Sequence, residues 1–320
     1  MPATLNIPVV GSGSIGTRHN NNLIELGVNS ELLSFRATGV EGLAAKLQQQ
    51  SVDGVVIATA TSVRESVIRV CAEHNVPMYI EKPLAFTTKQ LAEIYRCCSL
   101  SLASRSMVGF MMRYHPLLLR AAKLNLNNIY RFEFVIGHDV TQWRKNWRFA
   151  DSYAAKPEGG GVLLDLCHEL DMAKVLFPDA EIVSVLSTGH SDFPNVDFAT
   201  TVAMTMPNGT QGQVTMDYLS PVSTRKVTLY GLDQVLQIDF GTLTFLQLTG
   251  ESPATPAAQC IGFDRNDMFI DAMQDFIALI GGKQGGPHCP RLDTVRNNSE
   301  TIAHAWQQRH FTGTMSHLIT

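Results

Sequence analysis

Apolar residues in the first third of the chain fall in short β-branched runs separated by stretches with helical spacing. Residues 7–10, 31–35, 52–59, 78–80 and 106–110 read as strands, and residues 14–26, 40–50, 64–75 and 87–99 as the helices between them. Such alternation marks parallel strands joined by crossover helices. A further helical stretch opens at Pro116. From about residue 129 the period drops to two: Phe132, Phe134 and Ile136 point one way, Arg131 and Glu133 the other, and the alternation recurs over 197–206, 210–219 and 225–230. These strands predict a large, mostly antiparallel sheet with one face covered, and Pro207-Asn208-Gly209 predicts a hairpin because Asn and Gly accept positive φ. A helix over 266–280 carries Phe269, Met273, Phe276 and Ile280, and another runs through Val295, Ile302 and Trp306, both with core-facing stripes.

The expected architecture is therefore α/β: an N-terminal domain of parallel strands and crossover helices over 1–118, and a C-terminal α+β domain with a large, mostly antiparallel sheet over 119–320. A length of 320 residues suits two domains. Hydrophobic residues at 45% and charged residues at 17% supply a core and exclude disorder. A net charge of −4 without a basic run argues against nucleic acid and acidic membrane as partners. Six cysteines without a CxxC pair suit a reducing compartment better than a disulfide framework or zinc site. No apolar stretch approaches the ~20 residues of a membrane span, and the start lacks signal-peptide features, so a cytoplasmic location is expected.

Gly11-Ser12-Gly13-Ser14-Ile15-Gly16 lies between the first strand and the first helix. In that context the first Gly makes the tight turn, the second admits a pyrophosphate and the third lets the helix pack closely. Pro8 sits badly in the strand before it, since it cannot donate a ladder hydrogen bond. The acidic residue expected after the second strand is missing, and the sequence there is Ser34-Phe35-Arg36 with Thr38 beyond. A guanidinium with flanking hydroxyls suits a 2′-phosphate or stacking on adenine, which favours NADP over NAD; a solvated Arg is the plain alternative.

Two clusters could do chemistry. Glu81-Lys82-Pro83 follows the fourth strand at the carboxyl edge of the sheet, and the proline keeps Lys82 extended. A surface lysine is the bland reading. The second cluster runs from Gly159-Gly160-Gly161 to Asp165, Cys167, His168, Glu169 and Asp171. On one helix Asp165 and His168 would share a face, as would His168 and Asp171, and a carboxylate beside an imidazole suits proton transfer. A surface or capping pair would look the same. A metal site is disfavoured, because Cys167 would stand around 100° from His168, and no metal is expected.

The 11–16 turn with Arg18-His19 after it, the Glu-Lys-Pro at 81–83, Gly109-Phe110 leading to Arg113-Tyr114-His115-Pro116, and the 159–171 cluster together resemble the glucose-fructose oxidoreductase and inositol dehydrogenase (Gfo/Idh/MocA) family over nearly the whole chain. The resemblance implies an N-terminal Rossmann domain, shortened after the second strand, a C-terminal domain with a large open sheet, and an NAD(P)-dependent oxidoreductase acting on the CH–OH group of a sugar, cyclitol or related compound. It makes Lys82 the residue holding the substrate hydroxyl, His168 the acid/base and Asp165 its orienting carboxylate. The cofactor set is then Gly11, Gly13, Ser14, Ile15, Gly16, Ser34, Arg36, Ala58, Thr59, Thr61, Glu81, Lys82 and Arg113. Substrate-side positions are Arg113, Trp143, Arg144, Arg148 and Tyr153, with Lys82, Asp165 and His168, and their Arg and aromatic character suggests an acidic polyol. A homodimer or homotetramer through the C-terminal sheet is also implied. Departures are the Asp165–His168 spacing of three where many members have four, and Ala60 and Arg64 where Pro and His are common. Only one helix fits between Arg36 and Val52, so the adenine side should be trimmed and cofactor affinity weakened. A non-catalytic sensor of dinucleotide or sugar on the same fold is the alternative reading.

Overall fold

A computed structural model describes residues 4–142, 148–250 and 263–316. The chain divides into two compact units: Met1–Tyr114 with Asp264–Glu300, and His115–Phe263 with Thr301–Thr320.

In the first unit, β1 (Val9–Val10), α1 (Ser14–Glu25), β2 (Leu32–Leu33), α2 (Phe35–Gln49), β3 (Val55–Ile57), α3 (Thr61–Glu73), β4 (Met78–Ile80), α4 (Thr88–Cys97), α5 (Leu100–Ala103) and β5 (Met107–Val108) alternate as expected. Among the described residues they build a five-stranded sheet of order β2-β1-β3-β4-β5, parallel throughout. Chain order reverses between β1 and β3, and in such sheets a ligand crevice opens at the strands' carboxyl ends at that point.

The second unit contains α6 (Pro116–Ala121), β6 (Ile129–Gly137), α7 (Val162–Asp165), α8 (His168–Leu176), β7 (Glu181–His190), β8 (Phe193–Thr205), β9 (Gln211–Asp217), β10 (Thr224–Gly231), β11 (Gln234–Asp239) and β12 (Thr244–Thr249). The chain then returns to the first unit as α9 (Asp267–Ile280), passes from one unit to the other within α10 (Arg296–Gln307), and ends the second sheet with β13 (His310–Met315). This eight-stranded sheet has the order β12-β11-β10-β6-β9-β8-β7-β13 among the described residues. Its pairs are antiparallel except β6–β9 and β7–β13. Phe132 and Phe134 are fully buried while Arg131 is exposed, as the alternation requires. At the β8–β9 hairpin Gly209 has φ +87° and donates to Met206 O at 2.9 Å.

The single cut at 118 differs from the observed division because the α9 stripe belongs to the first core. Met273, Phe276 and Leu279 pack with Ile7, Val9, Val56 and Tyr79. Gly54 makes room: a Cβ there would stand 2.6 Å from Ile280 Cδ1 and 3.0 Å from Phe276 Cζ. The difficulty at Pro8 resolves in the ladder. Asp53 N donates to Asn6 O, and the next donation to this strand is Val56 N to Pro8 O, three residues on rather than two. That irregularity faces the missing N–H, and regular β1 begins only at Val9. The helix expected over 40–50 is preceded by an extra turn, broken at Gly39 (φ 63°). No helix of the described residues is long and apolar enough to cross a membrane.

Candidate functional site

The 11–16 turn leaves β1 at the switch between β1 and β3. Gly11 has φ +123°, and a Cβ on it would overlap Ala58 O. One on Gly16 would overlap Gly11 O, which closes the turn against α1. Gly13 differs: nothing lies within 4 Å of where its Cβ would be. It caps α1, whose first turn has no acidic residue. The positive end of the helix dipole therefore faces open space beside Gly13, a cradle suited to a pyrophosphate. Ala58 and Thr59, from the end of β3, form the opposite wall. Thr59 Oγ1 is buried and has no hydrogen-bond partner among the described residues, so a polar ligand atom would satisfy it. Thr61 opens α3 in the same loop, while Ser34 caps α2 and Arg36 stands exposed in its first turn.

The 81–83 turn follows β4. Glu81 is buried; His19 Nε2 of α1 donates to its Oε1 at 2.7 Å, and Lys82 N donates to its Oε2 at 3.2 Å. Burial pushes this carboxyl up, yet the hydrogen bond and charge of His19, with Lys82 and Arg64, outweigh it and hold the carboxyl below its usual range. Arg64 is buried too. It donates to Pro83 O and, at 2.6 Å, to Thr59 O, tying the β3 loop to the lysine turn. Lys82 itself is half-buried.

Arg113 follows β5, its guanidinium carbon 5.6 Å from the Phe110 ring centre. It lines a cavity of about 330 Å³ with Gln284, Gly285, Gly286, Cys289 and Arg291. The last of these pairs with Asp293.

In the second unit the expected single helix is broken. Asp165 ends α7, His168 begins α8, and Leu166 between them has left helical geometry (φ −102°, ψ 23°). Asp165 and His168 thus do not share one helix face as i and i+3. Asp165 instead accepts a hydrogen bond from Tyr153 Oη. The buried Tyr218 hydroxyl is held protonated by burial first and by Asp165 next. His168 and Asp171 do stand on one helix, both buried. Arg148 is exposed, and Trp143 and Arg144 lie outside the described residues. No group of three or more His, Cys, Asp or Glu among the described residues could hold a metal.

Residues 125–237 match the family model described as the GFO/IDH/MocA C-terminal domain. That match lies within the second unit. The resemblance drawn from the motifs points to the same family, and the sequence of a Gfo/Idh/MocA relative, inositol 2-dehydrogenase 1 of Mycolicibacterium vanbaalenii, is 26% identical over 211 residues. That match spans 57% of this chain and 55%, about half, of the relative's length. Solved structures with the same fold include a levoglucosan dehydrogenase in complex with NADH and levoglucosan (TM-score 0.76, 16% identity, 95% of this chain and 97% of that one). An inositol dehydrogenase homolog from Azotobacter vinelandii in complex with NAD+ has a TM-score of 0.76 at 15% identity, over 96% of each chain. A 3-ketoreductase from Actinomadura kijaniata in complex with NADP has a TM-score of 0.76 at 15% identity, over 97% of this chain and 99% of that one.

The motifs read in the sequence do not contain every residue that holds these turns. Arg64 is visible only as a departure from the family pattern, and His19 gives no sign that it serves Glu81. Asp197 and Arg309 of the second unit carry no motif at all, although a carboxylate in a strand of Val, Phe and Ala signals an unusual burial.

Proposed function

We propose that this chain is an NAD(P)-dependent oxidoreductase that transfers hydride between nicotinamide and a hydroxyl-bearing carbon of a sugar, cyclitol or sugar derivative. The observation that carries the reading is the open Gly13 cap between two glycines that tolerate no Cβ, with Thr59 Oγ1 unsatisfied beside it. Gly11, Gly13, Ser14, Ile15 and Gly16 would hold the pyrophosphate, with Ala58, Thr59 and Thr61 along the wall. Ser34 and Arg36 would meet the ribose, and an exposed guanidinium with no acidic residue beside it favours a 2′-phosphate, hence NADP.

The bound nicotinamide supplies the hydride acceptor or donor. Removing hydride from an alcohol carbon requires the hydroxyl proton to leave with it. Lys82, whose turn is fixed by Glu81 and Arg64, donates a hydrogen bond to the substrate oxygen. His168 exchanges the proton, and Asp165, tied to Tyr153, holds the neighbouring backbone in place rather than lying on the same helix face. Arg113 and Arg148 suit an acidic group on the substrate. The outer face of the second sheet, with Val135 38% and Leu186 46% exposed on separate strands, supports a homodimer or homotetramer. The five described cysteines are all free, four of them buried, which supports a cytoplasmic setting.

The test is nicotinamide absorbance with a panel of cyclitols, aldoses, uronates and nucleotide sugars. Turnover of at least one compound by the wild type, lost in Lys82→Ala and His168→Ala, is expected. A silent panel with saturable dinucleotide binding would instead favour the sensor reading.

A further inference from the structure

Asp197 of β8 is fully buried. Its Oδ2 accepts from Leu163 N at 2.9 Å, in the first turn of α7, and from Thr200 Oγ1 at 2.9 Å. Its Oδ1 pairs with Arg309 Nη1. Gly161 must be glycine here: it has φ +92°, and a Cβ would overlap Asp197 Oδ1. Arg309 is held in turn by Trp306, donating from Nε to its carbonyl at 2.9 Å and stacking 4.3 Å from its ring centre. Trp306 Nε1 donates to Gly160 O at 3.4 Å. Gly161 N then donates to Ala154 O at 2.9 Å, in the turn of Tyr153, and Tyr153 Oη reaches Asp165.

These contacts run from the end of α10, through the 159–161 turn, to Leu163 and to Asp165, which ends α7 just ahead of the break before His168. We propose that the buried Asp197–Arg309 pair is the positioning element that sets where Asp165 and His168 stand. Asp197 and Arg309 are positioning residues: they act through the 159–161 turn and α7, not on the substrate. A packing role alone would not explain why one carboxylate caps α7, excludes a side chain at Gly161 and engages the cation whose aromatic neighbour holds Gly160. This inference rests on the proton-handling reading of Asp165 and His168.

The experiment compares Asp197→Asn, Arg309→Lys and Thr200→Val in the full chain. Asn keeps one acceptor but turns an amide toward Arg309; Lys keeps charge without the planar fork; Val removes the hydroxyl that bonds both Asp197 and Ser187 Oγ. Folding is checked by near-ultraviolet circular dichroism, and His168 is followed by NMR titration of the imidazole in substrate-free protein, an observable independent of turnover. The expected results are a kcat decrease of roughly 10- to 100-fold for Asp197→Asn, smaller decreases for Arg309→Lys and Thr200→Val, unchanged affinity for the dinucleotide, and a displaced His168 titration and kcat–pH profile. Should Asp197→Asn fail to fold, Arg309→Lys and Thr200→Val carry the same readouts. Folded variants with wild-type kcat, pH profile and His168 titration overturn the proposal, as does lower stability with all three unchanged. If the wild type turns over nothing, the functional reading fails, and the His168 titration still decides the positioning.

Discussion

Glu81 in the first unit and Asp197 in the second solve one problem with different partners. Each is a buried carboxylate; one oxygen meets a basic side chain, the His19 imidazole or the Arg309 guanidinium, and the other accepts the backbone N–H of a turn that carries a candidate site residue, Lys82 or Leu163 ahead of Asp165. Glu81 lies next to the residue it serves, and its partner comes from the helix after the glycine turn, so its support is local to the carboxyl edge of the parallel sheet. Asp197 draws its cation from 112 residues away. In both units the proposed positioning group is thus a buried acid bonded to a basic side chain, while the groups proposed to do the chemistry sit one step further along the chain.

The comparison breaks most visibly if the sites do nothing. Lys82→Ala and His168→Ala are each expected to lower kcat by roughly 10²- to 10⁴-fold, measured by nicotinamide absorbance at saturating cofactor. Next in size, Arg309→Met and His19→Leu leave a buried carboxylate without its basic partner. Each should cost about 3–5 kcal/mol in denaturant unfolding, and a cost below about 1 kcal/mol for either would remove that unit from the parallel.

Acid sharpens the contrast. The Glu81 carboxyl is held below its ordinary 4.5, so the stability it lends is complete above that pH and is lost as pH falls through the folded value. Wild-type protein should therefore lose stability below pH 4.5 more steeply than Glu81→Gln. His115 gives a smaller effect in a separate window. It caps α6 by accepting from Leu117 N at 3.2 Å, and burial, with Arg225 second, lowers its pKa from 6.5 to about 4. The unfolded chain takes up that proton first, so stability is full above pH 6.5 and declines toward pH 4, by at most about 3 kcal/mol. His115→Asn keeps a capping acceptor and should flatten this window, leaving only the share of His138, which burial also lowers. Chemical unfolding at a series of pH values measures both.

Legibility followed sequence distance. The 78–80 strand and the 207–209 hairpin were readable because period, β-branching and positive φ act locally, and the roles of Gly11 and Gly16 followed from one turn. The return of α9 to the first core was not readable, since its stripe of Phe269, Met273 and Phe276 says that the helix is buried but not in which unit. The helix break at Leu166 was hidden for a related reason. Residues 162–171 hold no proline, and the side chains that bond α7 lie outside it, in Tyr153 and in Asp197, more than thirty residues downstream. Arg64 looked like a departure from a family pattern until its two carbonyl partners, Thr59 and Pro83, were seen together.

The most direct test of the account is equilibrium titration of the wild-type protein with NADPH and with NADH, followed by fluorescence. Saturable binding of both, tighter for NADPH and weaker than sub-micromolar because the adenine side is shortened after Arg36, is the predicted result. Absence of saturable binding by either dinucleotide would contradict the reading of the Gly13 cradle, and with it the proposed function.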